Sequence, residues 1–150
     1  MILNGTKIIV MTIGRTKFID SSNYIPMRLL ELPKAFGLQD TLDKGFFPHL
    51  FNMLKNQNYI GPIPDAYYSS EQMKPEKHER FMVWHKEMSR LNFDFNFKQE
   101  IVKYCRNDVD ILRRTCMALR KIFLERGDVC PFIECTTIAS TCKKLFRKNF

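Results

Sequence analysis

Histidine is scarce in this chain, cysteine is few and odd in number, and no long apolar run exists. Each shortage closes off a class of protein. The three histidines, His49, His78 and His85, pair with no cysteine at zinc-ligand spacing, so no structural zinc site is written here. The five cysteines, Cys105, Cys116, Cys130, Cys135 and Cys142, contain no CxxC pair. Two of them fall inside a helical stretch, which points to reduced thiols in an intracellular protein rather than to a disulfide framework. No apolar run approaches the ~20 residues that span a bilayer. The opening MILNGTKIIV lacks the basic start and long apolar core of a signal peptide, so neither a membrane nor export is expected. Internal repeats and low-complexity segments are absent as well.

What is present is an aromatic, basic, foldable chain. At 150 residues it has the length of one ordinary domain, or of a piece of a larger one. An apolar fraction of 45% with thirteen Phe supports a packed core and excludes disorder. The net charge of +8 is uneven: residues 1–75 carry eight Lys/Arg against six Asp/Glu, and residues 76–150 carry sixteen against ten. The C-terminal half therefore holds six of the eight net positive charges, which suits an anionic partner such as nucleic acid or, more blandly, a solvated basic helix face.

The pattern predicts an α/β chain, a β-hairpin followed by mainly helical structure. Lys7–Ile13 and Thr16–Asp20 are β-rich runs joined by Gly14-Arg15, a two-residue loop suited to a type II′ turn. KIIVMTI is nearly all apolar and asks for cover on both faces, as in a larger sheet. Pro26 and Pro33 bracket a short helix or helical turn around Arg28–Leu32, and another turn follows to a stop at Gly37. Residues 38–70 hold no sustained period and, with Pro48, Pro62 and Pro64, suggest an extended aromatic-rich loop. PEKHERFMVWHKEMSR predicts a helix from Pro75 to about Arg90, with Phe81, Trp84, His85 and Met88 on its apolar side and His85 at the core edge. A helix is expected from roughly Phe132 to Phe146.

The longest element is a helix near 97–126. Asn96 and Gln99 form a capping-box start, and Arg126-Gly127 gives a basic last turn with a C′ glycine. Ile101, Tyr104, Cys105, Ile111, Leu112, Thr115, Leu119, Ile122 and Phe123 follow the spacing of a buried stripe. Asp108 falls in that stripe, one turn after Tyr104 and about 6 Å from it. A carboxylate facing a core must be paired, hydrogen-bonded or metal-bound. Spacing alone leaves two uses open: a structural buried acid, or one ligand of a divalent-cation site with Tyr104 orienting a water. Asp110 points away from this side and is expected to be solvated.

Several stretches, in order, resemble the 3′–5′ exonuclease region of protein-primed family B DNA polymerases of viruses, linear plasmids and Polinton/Maverick-type elements. KIIVMTIGRTKFIDSSNYIPMRLLELPKAFGL is similar to the exonuclease strand pair and the segment after it. LDKGFFPHLFN resembles the Kxxh motif, with Lys44 and Phe47 at its fixed positions. YYSSEQMKPEKHERFMVWH resembles the segment leading into the third exonuclease motif. YCRNDVDIL matches that motif's Tyr-x-x-x-Asp at Tyr104 and Asp108, and TIASTCKKLFRKNF resembles the link to the polymerase palm.

The resemblance implies a partial RNase H-like exonuclease domain over 1–131, with 132–150 starting the linker to an absent palm. It implies that Asp108 ligates metal, Mg²⁺ or Mn²⁺ in the intact parent, and that Tyr104 positions the nucleophilic water. Lys44 would be an auxiliary catalytic residue, and Phe47 would pack beside the single-stranded primer end. Ser21 and Ser22 would fall in the single-strand contact, where Ser22 stands in place of the family's Leu and Ile25 fits the last hydrophobic position. Lys143, Lys144, Arg147 and Lys148 are further DNA-binding candidates. Deoxynucleotides and terminal protein would be partners of the intact parent only. The family's Asp-x-Glu motif, its second exonuclease motif and the palm aspartates are not in this sequence. The chain alone is therefore expected to bind no metal stably and to be inactive, as a fragment of a DNA-directed DNA polymerase. A free-standing single-stranded nucleic-acid-binding module using Phe47, Tyr67 and residues 143–148, or an inactive pseudogene product, are the alternatives.

Overall fold

The computed structural model describes residues 1–5, 7–38 and 46–149. The chain divides into two compact units, one formed by Met1–Thr41 with Asp110–Phe150 and the other by Leu42–Val109. Both are built on one helix, α3 (Phe97–Gly127), whose two halves belong to different units. The architecture is mixed α/β, mainly helical, with two small antiparallel sheets.

In the first unit, β1 (Ile2–Asn4), β2 (Lys7–Ile13) and β3 (Thr16–Ile19) form an antiparallel sheet in the order β1-β2-β3. Gly14 has φ +59° and Arg15 is not in the positive-φ region, as a II′ turn requires. The expected two-strand hairpin thus gains a third strand, and β2 becomes central. Among the described residues of this unit, cover on both faces is not supplied. Val10 is buried, but Ile8 and Phe18 are exposed and Ile13 is 61% exposed.

After β3 the chain enters a 3₁₀ turn, Ser21–Asn23, capped by the Asp20 carboxylate. Tyr24 and Ile25 then drop into a core shared with Leu32, Ile111, Leu119 and Phe123. A 3₁₀ turn at Leu29–Glu31 lies between Pro26 and Pro33 as expected, and Pro33 then sits in the first turn of the short helix α1 (Leu32–Ala35). Its fixed φ and missing N–H suit a first turn, where no intrahelical bond is lost. Gly37, with φ +60°, ends it.

Along α3 the buried line of this unit is Ile111, Thr115, Leu119 and Phe123. Steps of four residues rotate about 40° each around a 3.6-residue helix. The line therefore drifts away from Ile122, which is exposed although it was expected in the stripe. Thr115 is fully buried because its Oγ1 donates to the Ile111 carbonyl at 2.8 Å. The helix ends differently from expectation. Gly127 is its last residue, and Asp128, at φ +48°, takes the left-handed position with its N–H on the Leu124 carbonyl at 2.8 Å. Gly127 packs against the end of the Leu145 side chain, which would have to shift to make room for a Cβ there.

The single helix expected over Phe132–Phe146 is two, α4 (Pro131–Glu134) and α5 (Ile138–Asn149). A reciprocal cap starts α5: the Ser140 N–H donates to Thr137 Oγ1 at 3.2 Å, and the Thr137 N–H donates to Ser140 Oγ at 3.0 Å. Lys17 Nζ donates to the Phe132 and Cys135 carbonyls, and the Tyr24 hydroxyl to Cys135, tying the freed α4 end to the sheet.

In the second unit, residues 46–70 form short 3₁₀ turns at His49–Phe51, Leu54–Asn56 and Asp65–Tyr67 instead of an extended loop. The strand β4 (Ile60–Gly61) pairs antiparallel with β5 (Phe95–Asn96). The helix α2 (Pro75–Arg90) carries the expected apolar side, with Phe81 buried and Trp84, His85 and Met88 half-buried. A second aromatic core gathers Phe47, Phe51, Phe95 and Phe97.

Candidate functional site

The start of α3 is fixed from two sides. Asn96 Oδ1 accepts the Gln99 N–H at 3.2 Å, so the sequence-predicted N-cap is in place. The Phe97 N–H donates to the Tyr59 carbonyl at 3.1 Å, just before β4. These bonds and the buried rings of Phe95 and Phe97 set the rotation of α3, and with it the direction of Tyr104 and Asp108.

Tyr104 is half-buried at the edge of the aromatic core. Its ring lies 5.2 Å from Phe47, tilted by 31°, and 5.3 Å from His49, edge-on at 81°. Phe47 and His49 are themselves 5.6 Å apart at 70°, so three rings close a triangle. The Tyr104 hydroxyl is 3.5 Å from His49 Nε2. Phe47 is only 7% exposed and also contacts Phe97, so its ring supports Tyr104 from beneath. One turn on, Asp108 is half-buried, and its Oδ1 is shielded from solvent. Cys105, expected in the same stripe, is exposed, being the next residue round the helix from Tyr104. Asp110 is on the solvent side as expected, paired with Arg113 at 2.8 Å.

Lys44 lies outside the described residues. Ser21 and Ser22 belong to the first unit, in the turn whose Ser22 N–H donates to Asp20 Oδ1 at 2.8 Å. Lys143, Lys144, Arg147 and Lys148 are all exposed on α5 of that unit. Two of the four already have acidic partners. Lys144 Nζ is 2.7 Å from Glu134 Oε2, and Lys148 Nζ is 3.4 Å from Asp128 Oδ2 and also donates to the Asp128 backbone carbonyl at 2.8 Å. The hydrogen bond from Lys144 and a second from the Cys130 N–H hold the Glu134 carboxyl below the usual range, and the same pair raises Lys144.

Two groups were not singled out from sequence. His49 is one. Its signal was its place two residues after Phe47 across Pro48, a spacing that brings both rings onto one partner. The other is the solvent side of α3, where Lys98, Lys103 and Arg106 surround Val102 along a shallow cavity of about 470 Å³. A third cluster is internal to the second unit. Tyr68 packs on Phe81 and Trp84, and His85 pairs with Asp65 at 2.5 Å, which accounts for its core-edge position. The Tyr68 hydroxyl is buried without a hydrogen-bond partner among the described residues, and burial, with the Glu100 and Asp65 charges, raises its pKa.

Among the described residues, no group of three or more His, Cys, Asp or Glu could hold a metal ion. Asp108 is one carboxylate, and a divalent hard cation takes several oxygen ligands. The described residues therefore do not fit a complete metal centre. No helix among them is long and apolar enough to cross a membrane.

Residues 2–150 match the family described as DNA polymerase type B, organellar and viral. A protein of Neurospora intermedia named "Probable DNA polymerase" is 29% identical over 140 residues, covering 89% of this chain and 14% of that protein. A "Probable DNA polymerase" of Podospora anserina is 38% identical over 55 residues, covering 37% of this chain and 4% of its own length. The chain thus spans a small part of the curated relatives it matches. No solved structure matches it.

Proposed function

Because the chain belongs to the type B DNA polymerases of organellar and viral kind, we propose that it serves the 3′–5′ proofreading exonuclease region of a protein-primed enzyme of that family. The segment would be part of an RNase H-like exonuclease domain, with 132–150 leading toward the palm. The observation that carries this reading is Asp108, half-buried one turn after Tyr104, on a capped helix buttressed by Phe47 and Phe97. Asp108 would contribute one carboxylate to a Mg²⁺ or Mn²⁺ site, with the other ligands contributed by parts of the longer polymerase outside this chain. Tyr104 would orient the attacking water, and Lys44 would stabilise charge developing on the scissile phosphate.

The partner is DNA, entered by its single-stranded primer end. Ser21, Ser22 and the tip of the Phe47–His49 cluster are the proposed contacts to the strand, with Lys143, Lys144, Arg147 and Lys148 acting on phosphates. Ion pairing of Lys144 and Lys148 leaves Lys143 and Arg147 as the stronger candidates of that group. Polymerisation, deoxynucleotide binding and terminal-protein priming belong to the longer enzyme.

The test is excision from a mismatched primer by the longer polymerase. Tyr104→Phe should slow removal of the 3′ nucleotide and Asp108→Ala should abolish it, with incorporation continuing in both. Unchanged removal in Asp108→Ala would overturn the assignment.

A further inference from the structure

We propose that His49 is a positioning residue for Tyr104, an inference that rests on the exonuclease assignment above. A tyrosine hydroxyl has one proton and two lone pairs. To hold a water as an acceptor, it must send its own proton elsewhere. His49 Nε2 stands 3.5 Å from the Tyr104 oxygen, at the long edge of hydrogen bonding, and such contacts tighten when a substrate is bound. With the imidazole neutral and its proton on Nδ1, Nε2 accepts from the Tyr104 hydroxyl and takes up its one proton.

The packing holds the imidazole to that task. Phe47 meets its ring at 70°, Tyr104 meets it at 81°, and Pro48 before it starts the His49–Phe51 turn. The Phe51 N–H donates to the Pro48 carbonyl at 2.9 Å and the Asn52 N–H to the His49 carbonyl at 3.2 Å, so the backbone carrying the ring is tied down on both sides. His49 itself is exposed, which leaves its far edge open to a strand end.

Two measurements test this. In the 150-residue chain, nitrogen chemical shifts of His49 should report a dominant Nδ1–H tautomer, and Tyr104→Phe should shift the mixture toward Nε2–H. A dominant Nε2–H tautomer in the native chain, or no response to Tyr104→Phe, overturns the proposal. In the longer polymerase, His49→Ala should lower kcat for excision roughly tenfold with KM nearly unchanged, because it disturbs orientation rather than binding. His49→Gln, which keeps an acceptor oxygen, should recover most of that loss and guards against a folding defect in the alanine variant. If Asp108→Ala abolishes excision while both His49 variants behave as wild type, His49 has no such role and the exonuclease assignment stands. If Asp108→Ala excises normally, the assignment itself fails and His49 falls with it.

Discussion

Among the described residues, Tyr68 carries a buried polar atom that is poorly served. Its hydroxyl is buried against Phe81 and Trp84 with no partner among the described residues. An unmet buried hydroxyl costs about 1–3 kcal/mol of desolvation. Tyr68→Phe should therefore keep or raise stability, by up to about 1 kcal/mol in urea unfolding; a loss of that size would show that the hydroxyl is satisfied in solution. The same burial, with the Glu100 and Asp65 carboxylates, raises the Tyr68 phenol above its usual value of about 10, and burial raises Tyr24 too. The folded chain then keeps a proton that the unfolded chain gives up. That stability is present below pH ~10 and is lost as the pH rises above it. Unfolding free energy measured between pH 9 and 11 should fall, and fall less steeply in Tyr68→Phe.

At the same scale, Asp108 was legible from sequence because a carboxylate in an apolar stripe breaks a periodic pattern. His49 was not, because an isolated histidine in a proline-broken segment carries no period. Its meaning comes from a contact 55 residues away along the chain.

The elements divide in the same manner. α2 and the start of α3 were readable because proline at a first turn and an Asn-x-x-Gln cap act locally. The cap is also measurable: Asn96→Ala should cost about 1 kcal/mol in chemical unfolding, and a cost near zero would mean that the Phe97–Tyr59 bond alone holds the helix start. β1 was missed since three residues give no alternation to detect. The break between α4 and α5 was missed because its cause is a cap, Thr137 with Ser140, inside an otherwise apolar-periodic run. Gly127 is not the C′ residue that its place after Arg126 suggests: it is the last residue of the helix, and Asp128, at positive φ, makes the turn.

For the whole molecule, the sequence offered charge and an ordered set of family-like segments, and those carried further than any single spacing. The net +8 includes Lys98, Lys103 and Arg106 on the solvent side of α3 and the basic residues of α5. If these meet phosphates, affinity of the chain for a single-stranded oligonucleotide should drop by an order of magnitude or more between about 50 and 200 mM salt. A salt-independent affinity would exclude phosphate contacts as its source.

If Asp108 works in nucleotide removal and not in nucleotide addition, the two activities must separate when it is replaced. The measurement that reaches this separation directly is the ratio of 3′ excision to incorporation on one mismatched primer, in the longer polymerase with Asp108→Ala and with Asp110→Ala beside it. Asp110 is surface-paired with Arg113 and serves as the control. The ratio should collapse in Asp108→Ala through loss of excision alone and stay unchanged in Asp110→Ala. A wild-type ratio in Asp108→Ala, or an equal fall of both activities, would contradict that role for Asp108.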